Sequence, residues 1–446
     1  MEQYSTARHH LKFYFNAAIS ATYTLPDPFT LPVRDYVYRA CEFVIKKHPI
    51  LSAIPIGEDT NEPYFARLPE VDLEHPISFQ NRNHAFPEAN GVDVELEALL
   101  NVQHNTPYSA PFPYWRLCVL IDTANERRFT AAYVFHHAIS DGTSGKVFHR
   151  AFLEGLHTAA TSAETRQVVS SPEMPLLPNL EAVHPMPLSL PYLATVLFRE
   201  KVWSSRDPGL WTGSEIRVPL ETQMRHIVIP KSVATSLKNC CRQHNTTITA
   251  ALQTIISRSF FTHLPTNFTK LQCQSALSTR RWLPDIINED SMGVWVQDFD
   301  ETYTRDDLTG EPFPWAEATR TRQTIENVLS LEGKNASPNL LKYVNDYQQT
   351  LLSKIGKQRG SSLEVSNVGV FTSDLASSDS SERPQIGRML FSQCASLTGS
   401  AVEVSAITGV DGCMVLAFSW QTEVVELELI SAVIESTEKE LHSLAQ

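Results

Sequence analysis

The stretch Tyr133-Val134-Phe135-His136-His137-Ala138-Ile139-Ser140-Asp141-Gly142 decides how the fold of this chain is interpreted. The small and apolar residues at 129–135 predict a buried β-strand. That strand ends in two histidines, and a turn closed by Asp-Gly separates the histidines from a helical pattern. A titratable imidazole at the end of a core strand, with a carboxylate four residues later, is an arrangement that can carry acid–base chemistry.

Strands and helices alternate on both sides of this motif. The spacing of apolar residues after Pro32 predicts an amphipathic helix, and strands are predicted at 115–121 and 128–135. The same patterns predict a strand at 50–54 and a mostly irregular region at 70–113 with a short helix near 95–102. They also predict a helix at 338–355 and a hairpin joining 402–407 to 414–420. The sequence therefore predicts an α/β protein of mixed sheets flanked by helices.

The length of 446 residues is too great for a single hydrophobic core, so two domains are expected. A run of prolines between 172 and 191 marks the best boundary between them. The predicted division is an N-terminal lobe at 1–170 that carries the histidine motif, a proline-rich crossover at 171–214 and a C-terminal lobe at 215–446.

The composition excludes several classes of protein. A formal net charge of −13 argues against nucleic acid or an anionic membrane surface as the main partner. The chain shows neither a secretory signal nor the roughly 20 consecutive apolar residues that span a bilayer. Its seven cysteines include no CxxC pair, which predicts free thiols in a reducing compartment. We therefore expect a soluble cytoplasmic protein.

Three interpretations of the histidine pair follow from the residues alone. A buried, hydrogen-bonded structural histidine is the simplest. A metal site is not expected, because successive side chains on a strand point to opposite faces and His136 and His137 cannot easily bind one ion. The third is a general base. The chain has no G-x-S-x-G elbow, P-loop or G-x-G-x-x-G motif, so such a base would deprotonate an acceptor that attacks an acyl carbonyl directly.

Residues 136–142 resemble the HHxxxDG signature of the coenzyme-A-dependent acyltransferase superfamily, which includes chloramphenicol acetyltransferase, the plant BAHD enzymes and the condensation domains of peptide synthetases. Other segments, in the expected order, resemble the fungal alcohol acetyltransferase family; they lie at 7–11, 47–51, 210–213, 292–295, 366–369 and 391–393. Two departures distinguish the chain from its wider relatives. Ser52 stands where condensation domains have arginine, and the plant DFGWG motif is absent.

The resemblance implies two chloramphenicol-acetyltransferase-like lobes with an active-site channel between them. It implies that His137 is the general base, that His136 is structural, and that Asp141 holds the motif loop through an arginine. Arg280 and Arg281, which follow a predicted strand, are the candidate partners of Asp141. From the residue type itself, Gly142 is expected to permit a tight backbone turn after Asp141.

The resemblance also predicts the reaction. The expected activity is transfer of an acyl group, most simply acetyl from acetyl-CoA, to a hydroxyl of a small molecule such as a specialised metabolite. Acyl-CoA would be a co-substrate, no permanently bound cofactor is expected, and the protein is expected to be a monomer. An oxyanion donor would stabilise the transition state; the candidates are Ser366, Asn367 and Gln393.

Two alternatives to this activity stay open from the sequence. One is an amide- or ester-forming enzyme of the condensation type that uses a carrier-protein thioester. The other is a non-catalytic binding protein that keeps the same fold.

Overall fold

The computed structural model describes residues 1–88, 90–159, 164–201, 207–375 and 382–445. The helices are α1 Glu2–His10, α2 Val33–Lys47, α3 Val94–Gln103, α4 Gly142–Ala159, α5 Leu180–Val183, α6 Leu190–Lys201, α7 Lys231–Gln243, α8 Ile248–His263, α9 Arg305–Leu308, α10 Trp315–Ser330, α11 Tyr347–Leu352 and α12 Leu427–Ser443. The strands are β1 Ala17–Thr24, β2 Ala53–Ile56, β3 Tyr64–Arg67, β4 Glu70–Asp72, β5 Ile77–Asn81, β6 Trp115–Ile121, β7 Arg128–Phe135, β8 Val168–Ser170, β9 Thr222–Ile229, β10 Lys270–Ser278, β11 Val296–Thr304, β12 Leu363–Val370, β13 Gln385–Gln393, β14 Val402–Thr408 and β15 Met414–Gln421.

Two large sheets form the core of the protein. The five-stranded sheet has the order β13-β1-β7-β6-β5, and the six-stranded sheet has the order β11-β10-β12-β14-β15-β9. Helices α2 and α4 cover one face of the first sheet, while α7, α8 and α12 cover the second. The histidine motif follows β7, the middle strand of the five-stranded sheet, so the strand that positions it has neighbours on both sides.

Small side chains on β7 explain how the two sheets approach each other. Because side chains alternate along a strand, Tyr133 points to the helices of its own lobe while Ala132 and Val134 point the other way. The second set packs against residues of the six-stranded sheet, including Val228 and Val415. A strand buried on both faces needs apolar residues throughout, which is why this segment shows no polar alternation.

One strand crosses from the C-terminal part of the chain into the first sheet. Strand β13 pairs antiparallel with β1, with Gln393 opposite Ala17. It also lies against β14 and β15 of the six-stranded sheet. The division into 1–170, 171–214 and 215–446 stays a prediction, and this topology adds that the chain beyond 215 contributes a strand to the N-terminal sheet.

The strongest patterns were predicted accurately. Strands β6 and β7 have the predicted bounds, and the β14–β15 hairpin is confirmed. All seven cysteines are free thiols, as expected, and six are buried. Within the described ranges, no helix is both long and apolar enough to cross a membrane.

Three local predictions are wrong. Residues 50–54 are not one strand, because a 3₁₀ turn at Pro49–Ser52 precedes β2. The region 70–113 contains the strands β4 and β5, which were not predicted, whereas α3 matches the helix predicted near 95–102. The helix predicted at 338–355 is split into a 3₁₀ turn, Ser337–Tyr343, and α11. The split has a local cause: the Asp346 side chain accepts a hydrogen bond from the Gln349 amide and so starts a new helix.

Candidate active site

The motif loop, residues 136–141, connects β7 to α4. Asp141 precedes the first residue of α4, and its Oδ1 accepts a hydrogen bond from the Ser144 amide at 2.8 Å. A carboxylate at this position satisfies a free backbone N–H and interacts favourably with the positive end of the helix dipole. The loop is therefore anchored by a buried strand on one side and a capped helix on the other.

His136 is buried and hydrogen-bonded. Its Nδ1 accepts a hydrogen bond from the Ala138 amide at 3.0 Å, and its Nε2 lies 3.6 Å from Oε1 of Glu58. The other oxygen of Glu58 is 3.1 Å from Nδ1 of His9 and accepts a hydrogen bond from the Tyr114 hydroxyl at 3.2 Å. Glu58 therefore lies between the motif loop and α1, and the structural role of His136 stays a prediction.

The cluster of His9, Glu58 and His136 has the composition of a metal site, since its candidate ligand atoms lie within 4.8 Å of one another. Its hydrogen bonds oppose that use. A neutral imidazole has one ring nitrogen with a lone pair that can accept a hydrogen bond or bind a metal. In His9 this nitrogen accepts a hydrogen bond from the Tyr108 amide at 3.0 Å, and in His136 it accepts one from the Ala138 amide. The nitrogens that face Glu58 are therefore the ones left to carry protons. The contact of Glu58 with His9, at 3.1 Å, is within hydrogen-bond distance, whereas the contact with His136, at 3.6 Å, is an electrostatic one.

Asp141 makes a buried, bidentate ion pair with Arg280. Nη1 of Arg280 donates to Oδ2 at 2.8 Å and Nη2 donates to Oδ1 at 3.0 Å, with both side chains 1% exposed. Burial by itself would raise the pKa of Asp141, but the charge and hydrogen bonds of Arg280 hold that pKa below its usual value. The carboxylate is thus a satisfied anchor of the loop. Of the two candidate arginines the structure pairs Arg280, whereas Arg281 is exposed.

Residues 292–295 complete the anchor, and they come from the other half of the chain. The Gly293 carbonyl accepts hydrogen bonds from the Asp141 amide at 3.1 Å and from the Ser144 hydroxyl at 2.8 Å. The Trp295 amide donates to Asp141, and the Trp295 ring lies 4.9 Å from the Arg280 guanidinium. The sequence signal for these contacts was limited to the family-like segment Met-Gly-Val-Trp, and Ser144 carried none.

Gly142 suits its position for a reason other than the predicted one. Its φ is not in the left-handed region, so the backbone turn after Asp141 does not need glycine. A Cβ at this position would lie 2.6 Å from Cγ1 of Val368, a residue of β12. Gly142 therefore lets the start of α4 approach the C-terminal part of the chain closely.

His137 lines a cavity of about 350 Å³ between the two sheets. Its Nδ1 is buried and has no hydrogen-bond partner on another described residue. The backbone of His137 itself interacts with the ring and favours the protonated form. Burial, followed by the nearby charge of Arg8, lowers the pKa of His137 to about 4, against the opposing effects of that backbone group and of Asp141. The imidazole is therefore neutral at physiological pH.

The three oxyanion candidates are placed differently. Gln393 lines the cavity with His137. Asn367 uses its side chain on Thr249 at 3.1 Å and on the Gly369 amide at 2.9 Å, which gives it a local structural role. Ser366 is buried on β12 outside the residues that line the cavity. The role of oxyanion donor stays a prediction for all three.

Comparison of the sequence with known families and proteins adds an independent result. The model of the family described as alcohol acetyltransferase matches residues 1–435. The probable alcohol acetyltransferase crmB of Aspergillus fumigatus is 33% identical over 448 residues, which cover 96% of this chain and 95% of that protein. The probable alcohol acetyltransferase FCK4 of Fusarium pseudograminearum is 24% identical over 464 residues, covering 97% and 92%.

Solved structures share the fold. The trichothecene 15-O-acetyltransferase TRI3 of Fusarium sporotrichioides superposes with a TM-score of 0.71 at 11% identity, covering 99% of this chain and 93% of that chain. The first condensation domain of the calcium-dependent antibiotic synthetase gives a TM-score of 0.65 at 14% identity, covering 100% and 95%. At these identities the likeness concerns the fold alone, and it confirms the predicted two-lobed α/β architecture.

Proposed function

This chain belongs to the alcohol acetyltransferase family, and from that premise we propose that it transfers an acetyl group from acetyl-CoA to a hydroxyl of a small molecule, with His137 as general base. The observation that carries the proposal is the setting of His137. Its neutral imidazole lines a cavity between the two sheets, and the loop beside it is held by the buried ion pair of Asp141 with Arg280. Membership of the family makes the chain an acyltransferase. We propose the identity of the donor, the class of the acceptor and the role of each residue.

The proposed reaction is a single displacement at a thioester. Nε2 of His137 accepts the proton of the acceptor hydroxyl as its oxygen attacks the acyl carbonyl carbon. A tetrahedral oxyanion forms, the bond from carbon to sulfur breaks, and the imidazolium returns the proton to the leaving thiolate. The products are an ester and free coenzyme A, so protons and electrons balance without a further reactant.

Asp141 is proposed as a positioning residue. Its two oxygens are used by Arg280, Ser144 and the Trp295 amide, so it has no free lone pair directed at His137. Its contribution is to hold the loop, so that the imidazole keeps the angle at which Nε2 meets the acceptor. The favourable charge of Asp141 also moderates the lowering of the His137 pKa.

The proposal is tested by following free thiol release from acetyl-CoA in the presence and absence of a panel of alcohols and amines. We expect release that depends on an alcohol, with the ester as product. Release that requires an acyl carrier protein in place of coenzyme A would favour the condensation-type alternative. Absence of turnover with either donor would favour a non-catalytic binding protein.

The lowered pKa of His137 predicts an unusual pH profile. A base is active when neutral, so a pKa of about 4 keeps the active form to lower pH than an ordinary histidine near 6.5. We expect kcat/KM to stay level from about pH 7 to about pH 5, with half its value near pH 4. The measurement is kcat/KM in short assays after a jump in pH; a half-point near 6.5 would contradict the prediction.

The control for this profile is a parallel measurement of folding. Burial lowers the pKa of His104 to about 3 and that of His149 to about 4. Because the unfolded chain binds these protons first as pH falls below about 6.5, the stability of the fold declines from that pH downward. Tryptophan fluorescence recorded alongside each assay separates loss of fold from protonation of His137.

The remaining parts of the proposal concern partners and location. The partners are a small-molecule alcohol and acyl-CoA as co-substrate. A cytoplasmic location and a monomeric state stay predictions of the sequence.

A further inference from the structure

The cavity beside His137 carries buried hydrogen-bond acceptors that no described residue satisfies. They are Oε1 of Glu403 and Oε1 of Gln297, and the Thr398 hydroxyl likewise lacks a hydrogen-bond partner. Glu403 is 2% exposed and Gln297 is 3% exposed. An unsatisfied acceptor in a buried site is costly, and it favours a ligand that brings hydrogen-bond donors.

The Glu403 carboxyl is held in place by its neighbours in the sheet. Glu403 and Glu364 are register partners on the parallel strands β14 and β12, so their carboxyls lie side by side. Nε2 of Gln393 donates to Oε1 of Glu364 at 3.3 Å and to Oε2 of Glu403 at 3.4 Å. The Tyr14 hydroxyl donates in turn to Oε1 of Gln393 at 3.2 Å, which fixes the orientation of the amide. In this network Oε1 of Glu403 has no partner at hydrogen-bond distance, and Glu403 is one of the residues that line the cavity.

Burial disfavours ionisation of this pair. It raises the pKa of both carboxyls, that of Glu403 well above its usual value, and the like charge of Glu364 adds to the effect on Glu403. Oxygens of such a pair can accept hydrogen bonds from a neutral hydroxyl or from an ammonium group.

Other charged groups also face this cavity. Asp298 lies on the same wall, and burial raises its pKa too. The Arg8 guanidinium lies between the rings of Tyr4 and Tyr14, at 4.7 and 4.5 Å, and Lys354 lines the cavity as well. The cavity is therefore polar, with three carboxyl groups on its walls beside the cationic side chains of Arg8 and Lys354 and the N-terminal residue Met1.

We propose that this cavity binds the acceptor, and that the acceptor carries, besides the hydroxyl that is acylated, a second hydrogen-bond donor group that is held by Glu403 and Gln297. That group is a further hydroxyl or an amine. The inference rests on the proposed function and narrows its substrate class from any alcohol to diols, polyols and amino alcohols. A plain alkyl alcohol in the same place would leave the buried acceptors unsatisfied.

The test compares three linear acceptors of matched length: the terminal alcohol, the α,ω-diol and the α,ω-amino alcohol, each at several chain lengths. We expect kcat/KM for the diol or the amino alcohol to exceed that of the plain alcohol by at least about tenfold. A preference for the diol identifies a hydroxyl as the second group, and a preference for the amino alcohol identifies an ammonium. Equal values for all three would overturn the inference while leaving the proposed function intact.

Glu403→Gln and a distant glutamate provide the matched pair of variants. Glutamine keeps the shape of Glu403 but replaces one acceptor oxygen with a donor, so we expect the preference to fall to less than about threefold. Glu440→Gln removes a half-buried carboxyl of raised pKa on α12, away from the cavity, and should leave the preference unchanged. An unaltered preference in a folded Glu403→Gln protein would overturn the inference.

Direct binding separates failure of the inference from failure of the proposed function. Saturation-transfer NMR of the same three acceptors needs no turnover. If no acceptor causes release of free thiol from acetyl-CoA, the proposed function fails. The NMR binding measurement then decides the inference. Stronger binding of the diol or amino alcohol than of the plain alcohol, lost in Glu403→Gln, supports it; equal binding of all three overturns it.

Discussion

Replacing His137 with alanine is expected to lower kcat for acyl transfer by about 10²–10⁴-fold, the usual contribution of a positioned general base. Alanine removes the nitrogen that accepts the acceptor proton, while the cavity and the loop that holds it stay in place. The loss should appear in kcat and in kcat/KM alike, because proton transfer takes place in the transition state. The measurement is acceptor-dependent thiol release, with the melting transition checked for each protein.

The matched control is His157→Ala on the far end of α4. His157 is half-buried, and its Nε2 contacts the Pro384 carbonyl at 3.1 Å, away from the cavity. We expect its rate to stay within about twofold of the unmodified protein, since substitutions away from a site usually have small effects. A His137→Ala protein that kept its full rate would show that another group accepts the proton.

The second large effect is expected at Arg280. Replacing Arg280 with methionine should lower the free energy of unfolding by about 3–5 kcal/mol, because Asp141 would be left as a buried carboxylate without its counter-charge. Both side chains are 1% exposed, and the pair is bidentate, so water cannot replace the guanidinium easily. Arg280→Lys should recover little of the loss, since an ammonium cannot reproduce the planar fork. The measurement is urea unfolding followed by tryptophan fluorescence.

Two variants make the Arg280 result specific. Arg281→Met alters the exposed neighbour and should change the free energy of unfolding by less than about 0.5 kcal/mol. The double variant Arg280→Met with Asp141→Asn removes both charges while keeping an acceptor oxygen for the Ser144 amide, and it should recover part of the loss. If Arg280→Met alone were as stable as Arg281→Met, the ion pair would not be what holds the motif loop.

Local sequence patterns predicted the elements whose signals are strong and continuous. Strand β7 is apolar throughout and is followed directly by the histidines, so its bounds and the place of the motif were both predictable. The α2 helix and the β14–β15 hairpin likewise follow from apolar spacing and a polar turn. The helix predicted at 338–355 is wrong because a single aspartate, Asp346, interrupts it by capping.

Contacts between distant parts of the chain were predictable only in part. That Asp141 would pair with an arginine came from the resemblance to a family, and the choice between Arg280 and Arg281 required the fold. The two arginines lie in the turn that follows β10, where the Arg280 side chain points into the core and Arg281 is exposed to solvent. The reason for Gly142 was missed because it concerns the approach of Val368, a residue of another strand.

The sequence by itself determined the identity of the motif, the strand that precedes it, the alternation of strands and helices, and the class of chemistry that the resemblance implies. These are properties of adjacent residues, and hydrophobic periodicity and short-range spacing report them directly. The tertiary structure alone decided which groups meet at His137. The register of β12 against β14 places Glu364 beside Glu403, and the crossing of β13 into the first sheet brings Gln393 to them. Burial in that setting lowers the pKa of His137 to about 4, an effect that depends on solvent exclusion by residues far apart in the chain.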